Sequence, residues 1–293
     1  MQSVSNQPQR HPSSRTFPRW SPDGSKILVD TGSRPSIVDR DLHSQVELGP
    51  EDTWVTYPDW SPDGERVSFA WRGLHGDQTE PHWGIYSSKP DGSDVHMMTS
   101  TGWRGMWSPD GQKMAYHLVK QDAPIRLAVM DRDGTNETVL AKEPRIGGMS
   151  WSPDSKTIVY ENWDFDGGQL FTMNIDTHEK ARLLPDSDGS DKSAQYSPDG
   201  KKVVFERFYT PGRRTELRML DLESGQDRLF AAPNRSNHDA AWSPDGQHLA
   251  FTSNTTEGDF NLYMVDADGS HLQQLTSTPG DEYAPAWSPD GHS

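Results

Sequence analysis

Seven copies of one short string, Trp-Ser-Pro-Asp-Gly or a close variant, begin at Trp20, Trp60, Trp107, Trp151, Tyr196, Trp242 and Trp287. A unit repeated this often cannot bury an apolar face alone, so the fold must be an array in which neighbouring units cover one another. Successive copies lie 40 to 47 residues apart, the length of a four-stranded propeller blade and too long for a leucine-rich or ankyrin repeat. The expected class is therefore all-β, a β-propeller of four-stranded antiparallel blades.

Each interval repeats one strand pattern. After the string comes a run such as Lys26-Ile27-Leu28-Val29, Arg66-Val67-Ser68-Phe69 or Lys202-Val203-Val204-Phe205, in which β-branched and aromatic residues read as a strand. A second run follows, for example Trp83-Gly84-Ile85-Tyr86 or Leu262-Tyr263-Met264-Val265. It ends in an acidic glycine turn such as Asp131-Arg132-Asp133-Gly134, which closes a hairpin. A short third run leads back to the next string, and the strand ending in Trp-Ser makes the fourth.

The string itself needs no function to explain it. Proline presets φ at its turn position, aspartate tolerates the bridge region, and glycine takes a left-handed backbone without a steric penalty. The tryptophan before the turn is placed to wedge between neighbouring blades. Ser155 replaces the glycine in the fourth copy, and slight strain is expected there. Six intervals are complete, so six blades are expected, with seven as the alternative. Seven would require residues 1–16 to supply three strands, and that stretch lacks both length and alternation. The segment from Tyr283 to Trp287 is then expected as an extra strand at ring closure. Residues 1–16 read as a polar extension and 17–293 as a single propeller domain.

With 44 acidic against 28 basic side chains the formal charge is −16, which opposes nonspecific binding to nucleic acid or to an anionic membrane. No apolar run reaches the ~18 residues of a membrane span, and residues 1–16 lack the apolar centre of a secretory signal. A soluble, monomeric chain is expected. The absence of cysteine excludes disulfides, thiol catalysis and thiolate metal sites.

These repeats resemble the Trp-Ser-Pro-Asp-Gly propellers of the TolB-like family, over nearly the whole chain. The resemblance implies a platform for protein, peptide or small-molecule ligands and an extracytoplasmic, periplasmic setting. Peptidase relatives share the repeat, but no Gly-x-Ser-x-Gly elbow and no hydrolase domain accompany it here. The α/β domain that precedes the propeller in TolB has no counterpart in the sequence either.

Loops that leave the second strand and loops that enter the first share one face of a propeller, opposite the Pro-Asp-Gly turns. Here they carry Trp71, Arg72, His75, His82, Trp163, Arg207, Tyr209, Trp103, Arg104, His238 and Tyr283, of residue types enriched at binding hot spots. The position that closes the second strand holds Asp30, Ala70, His117, Glu161, Glu206 and Thr252. A small or hydroxyl residue is usual there, so three consecutive blades depart from their own average. By the period of two these side chains share a face with Leu28, Ala115, Val159 and Val204, and partial shielding is expected.

Two readings follow. In the first, the loop-rich face holds a ligand at Asp30 and at its aromatics, histidines and arginines, and the shielded acids form an inter-blade network with Arg207, Arg72, Arg145 or Lys192. In the second, Glu161, Glu206 and His117 act as an acid-base set of a lyase, hydrolase or isomerase on a carbohydrate or small polar substrate. No cofactor is expected. A calcium or other divalent ion is the alternative, the densest acidic stretch being Asp186 to Asp191, which a plain polar turn also explains.

Overall fold

The computed structural model describes residues 18–30, 34–50, 54–73, 82–120, 123–143, 145–164, 167–210, 214–230, 236–254, 258–277 and 279–291. Among the described residues twenty-four strands form six sheets of four, each sheet a sequential antiparallel meander. Blade 1 comprises Arg19–Trp20, Lys26–Val29, Ser36–Asp39 and Gln45–Glu47, and blade 2 comprises Trp54–Trp60, Val67–Gly73, His82–Ser88 and His96–Thr99. Blade 3 runs through Gly102–Trp107, Lys113–Leu118, Arg126–Asp131 and Thr138–Ala141, and blade 4 through Ile146–Trp151, Thr157–Asp164, Gly167–Asn174 and Lys180–Arg182. Blade 5 is Ser190–Tyr196, Lys202–Tyr209, Arg214–Asp221 and Asp227–Leu229, and blade 6 is Ser236–Trp242, His248–Asn254, Asn261–Asp266 and Gln273–Gln274. The molecule is a six-bladed β-propeller.

The apolar core lies between blades, as the repeat length requires. One cluster joins Leu28 and Ile37 of blade 1 to Val55, Val67 and Phe69 of blade 2. Others link blades 2 and 3, 3 and 4, 4 and 5, and 5 and 6. The repeated tryptophan is the wedge in these seams. The indole of Trp60 donates to the Arg19 carbonyl at 3.2 Å, that of Trp151 to Met106 at 3.2 Å and that of Trp287 to Ala241 at 3.0 Å. Each is one blade back, so the polar edge of a buried ring finds a partner across the seam.

Each Pro-Asp-Gly turn is closed by its own side chains. In the first, Ser21 Oγ donates to Asp23 Oδ1 at 2.6 Å, Lys26 N–H donates to Ser21 Oγ at 2.9 Å, and Ser25 N–H donates to Asp23 Oδ1 at 3.0 Å. These bonds hold the Asp23 carboxyl down at about 2. The serine-to-aspartate bond recurs in all seven turns. The turns also touch in series. Gly64 abuts Pro22, Gly111 abuts Pro62, Gly200 abuts Pro153, Gly246 abuts Pro198 and Gly291 abuts Pro244. Gly24 abuts Pro289 and closes the ring of turns.

Closure departs from the expected extra strand. Residues 283–287 pair with no sheet among the described residues. They wedge instead, with the seventh turn, into the seam between blade 6 and blade 1. The fourth turn departs as well. Ser155 takes φ 61°, and its Oγ accepts the Asp110 N–H of the preceding turn at 3.0 Å. Strain expected at that serine is offset by a hydrogen bond no glycine could make.

Candidate functional site

The first strands of blades 2 to 6 each carry an irregularity close to the channel-facing middle. Register shifts fall between Thr56 and Asp59, Lys192 and Gln195, and His238 and Ala241. At that point Tyr57, Arg104, Ser193, Asp239 and Ala284 adopt φ of 51 to 54°. A bulge of this kind leaves a backbone N–H unpaired by the sheet and turns it toward the neighbouring blade. Three of the residues that close the second strands receive those N–H groups.

Asp30 Oδ2 accepts the Tyr57 N–H at 3.1 Å and the Thr56 hydroxyl at 2.9 Å. Glu161 Oε1 accepts the Ser193 N–H at 2.7 Å, and its Oε2 accepts the Trp163 indole N–H at 2.8 Å. Glu206 Oε1 accepts the Asp239 N–H at 3.1 Å, while Oε2 faces His238 Nδ1 at 3.0 Å and Lys192 Nζ at 3.4 Å. Each acid therefore latches its own blade to the next. Burial alone would raise the Glu206 carboxyl, but the His238 hydrogen bond, the charges of His238 and Lys192 and the Asp239 N–H hold it below the usual carboxylate range.

The shielding read from the sequence holds: His117 is 1% exposed, Glu161 7% and Glu206 3%. The expected partners hold only in part. Lys192 joins Glu206, but Arg207 does not. It follows Glu206 directly and so points to the opposite face of the strand. There it is buried against Asp191 at 2.6 Å and Asp227 at 2.9 Å in a core ion network.

A cavity of about 650 Å³ runs along the ring axis. Its wall takes residues from every first strand and from 284–287, including Asp30, Tyr57, Arg104, Gly148, Glu161, Ser193 and Asp239. Asp30 and Glu161, from opposite blades, thus face one channel. Arg104 stacks its guanidinium over Tyr57 at 5.5 Å. Tyr57 meets Trp103 edge-on at 5.4 Å, and Trp103 lies 5.8 Å from Trp83 and 5.9 Å from the His117 ring. Burial and the charge of Arg104 push His117 down to about 3, so it is neutral at physiological pH. On the far side Phe260 bridges His238 at 5.8 Å and Tyr283 at 5.0 Å.

Other sequence-marked residues lie elsewhere. Trp71, Arg72, Trp163 and Tyr209 stand in strands that extend past the sheet as long hairpins, not in loops; Tyr209 ends its strand opposite Arg214. His75 lies outside the described residues, as do residues 1–17 and the side chain of His82. Reading by residue type missed Ser193 and Asp239, whose contribution is a backbone N–H. It also missed Asp59, which accepts the Trp107 N–H at 3.0 Å and pairs with Arg19 at 3.0 Å. Burial pushes the Asp59 carboxyl up, against the pull of Arg19. Counting back from each repeat would have marked Ser193 and Asp239, three residues before Tyr196 and Trp242, and Asp59, directly before Trp60. Among the described residues no three His, Asp or Glu side chains are grouped as metal ligands, and Asp191 of the acidic stretch is taken by Arg207.

Fold and channel define a six-bladed propeller whose blades are latched to one another around an axial cavity. The model of the TolB beta propeller domain matches residues 3–194 and 192–293, and the chain belongs to that family. An uncharacterized protein of Agrobacterium fabrum (strain C58) is 28% identical over 251 residues, covering 80% of this chain and 83% of the relative. The solved structure of a putative TolB from Agrobacterium tumefaciens superposes with TM-score 0.65 at 19% identity, over 88% of this chain and 94% of that one. An oligogalacturonate lyase in complex with manganese superposes with TM-score 0.67 at 16% identity, over 84% and 75%. At such identities the two structures speak to fold alone.

Proposed function

We propose that this chain is a binding module whose loop-side channel mouth holds a protein, peptide or small ligand. One observation carries the reading. The buried glutamates that an acid-base mechanism would need are spent on backbone N–H groups of the next blade, Glu161 on Ser193 and Glu206 on Asp239. A general acid or base must exchange its proton with substrate, whereas these carboxylates serve the ring. Tyr57 lines the cavity and is 37% exposed, Trp54 of the same strand is 63% exposed, and exposed aromatic anchors are the usual material of hot spots.

The reading extends to an extracytoplasmic setting, supported by membership of the TolB family. No described helix is long and apolar enough to cross a membrane. Selection of a displayed peptide library and a small-metabolite library on the chain tests the proposal. Ligands whose binding falls at least about tenfold, or about 1.4 kcal/mol, in Tyr57→Ala or Trp54→Ala support it. Ligands indifferent to both and lost in the turn-side variant Lys89→Ala would overturn it.

A further inference from the structure

Seven turns stand in the ring, but among the described residues six sheets stand on them. The seventh turn, Ser288 to Gly291, lies between the sixth and the first: Gly291 meets Pro244, and Gly24 meets Pro289. The residues ahead of it repeat the inner strand of a blade. Ala284 takes φ 54°, as Tyr57, Arg104, Ser193 and Asp239 do at 51–54°, each three residues before its tryptophan or tyrosine. The Trp287 indole donates to blade 6 as those of Trp60 and Trp151 donate to the blades before them. Residues 283–287 are thus an inner strand that pairs with no described sheet.

The seam around this strand is open where the other five are closed. Leu262 lies opposite Thr252 on the third strand of blade 6 and is partly exposed, as is Met264 two residues on. Its counterparts Ile85, Leu127, Leu170 and Leu217 are at most 1% exposed, each in the apolar cluster shared with the next blade. Across the seam Ile27 lies opposite Trp20 and is partly exposed too. Its counterparts Val67, Met114, Ile158, Val203 and Leu249 are each 0% exposed, packed on the blade before. Among the described residues no apolar cluster joins blade 6 to blade 1. In a repeat array, an apolar face left partly open at a single seam marks an interaction surface.

We propose that this seam is a docking site for an extended segment of a partner polypeptide, which pairs antiparallel beside residues 284–287. One face of the segment covers Leu262 and Met264 of blade 6, and the other covers Ile27 of blade 1. The closed seams define the side chains that fit. In blade 5 Val203 pairs opposite the repeat residue Tyr196, Phe205 follows two later, and Arg207 pairs opposite Asp191, which it meets at 2.6 Å. Counted from the bulge, Glu282 stands where Asp191 stands, beside the exposed Asp281. The segment therefore carries an apolar residue, an aromatic two positions on and a base two beyond that. Strand addition gives affinity through main-chain hydrogen bonds and specificity through alternate side chains. A second strand lies outside the first in every blade, so the segment enters from the side of the ring, a site separate from the channel mouth.

The probe is the second strand of blade 5 as a capped peptide, residues 201–209, with one control peptide carrying Val203→Ser and Phe205→Ser and another carrying Arg207→Glu. Each is titrated into the full chain by calorimetry and by ¹⁵N NMR of the indole groups. The unaltered peptide should bind saturably and shift the Trp287 signal, and both controls should bind at least about tenfold more weakly. Met264→Glu in the chain should weaken binding by the same factor. Tyr57→Ala should leave it unchanged, so this proposal and the channel-mouth reading fail separately. No saturable Trp287 shift at millimolar peptide, equal binding of the serine control, or loss of binding in Tyr57→Ala would overturn the assignment. Self-association of the chain that Met264→Glu abolishes would overturn it in favour of a second copy, and peptide binding seen only after removal of residues 1–17 would overturn it in favour of that segment. If Met264→Glu fails to fold, the three peptides on the native chain decide.

Discussion

Glu206 ties blade 5 to blade 6 and is the sharpest place to perturb the ring. Its side chain is 3% exposed and meets the Asp239 N–H at 3.1 Å, His238 Nδ1 at 3.0 Å and Lys192 Nζ at 3.4 Å. A hydrogen bond to a buried charged group is worth about 1.5–3 kcal/mol, and a buried N–H left bare costs about 1–3 kcal/mol. The partly exposed Lys192 contributes about 1 kcal/mol at most. Glu206→Ala should therefore destabilise by about 3–5 kcal/mol. At about 2–4 °C per kcal/mol for a large domain, that lowers Tm by on the order of 10 °C.

Glu206→Gln keeps an amide oxygen for the Asp239 N–H and should cost only about 1–2 kcal/mol. The sign of the pH dependence follows from the depressed carboxyl. A group ionised more readily when folded adds stability above its ordinary pKa, and that stability is lost as pH falls through the folded value. The gap between wild type and Glu206→Gln should hold at pH 7 and narrow below the ordinary glutamate value of 4.5. Chemical denaturation of the three proteins between pH 3 and 7 measures this. A Glu206→Ala variant within about 0.5 kcal/mol of wild type, the range of an ordinary surface change, would refute the latch.

Gly147→Ala drives a Cβ into Glu161 Oε2 and should cost about 1–3 kcal/mol, seen as a lower denaturation midpoint and a displaced Trp163 indole resonance. Ser155→Gly relieves a left-handed φ but loses the Asp110 bond, so it should fall within about 1 kcal/mol of wild type, with Ser155→Ala less stable than both. Asp191→Ala leaves the buried Arg207 with Asp227 as its main partner and should cost about 3 kcal/mol or more, whereas Trp54→Ala should change stability by less than about 0.5 kcal/mol. The His117 ring signals should show no titration between pH 5 and 8, since burial and Arg104 hold its pKa down to about 3.

Repeat length, turn chemistry and strand pattern were legible in the sequence because they are local: proline, aspartate and glycine at fixed offsets dictate a turn wherever they stand. The exceptional residues at the end of the second strand were legible too, by comparing blades with one another. Their roles were not. Glu161 and Glu206 read equally as acids of a mechanism or as members of an ion network, because a carboxylate is the same in both until its donors are known. Arg207 looked like their partner by proximity in sequence, yet strand alternation sends it to the opposite face, onto Asp191 and Asp227.

By itself the sequence determined that the chain is a ring of four-stranded blades and which positions in that ring are unusual. Tertiary structure alone decided what those positions meet. The donors to Asp30, Glu161 and Glu206 include backbone N–H groups of Tyr57, Ser193 and Asp239, each supplied by the following blade some thirty residues on and turned outward by a bulge. A backbone N–H belongs to nearly every residue, so residue identity cannot announce it. Only the packing of one blade on the next brings the acid and the bulge together.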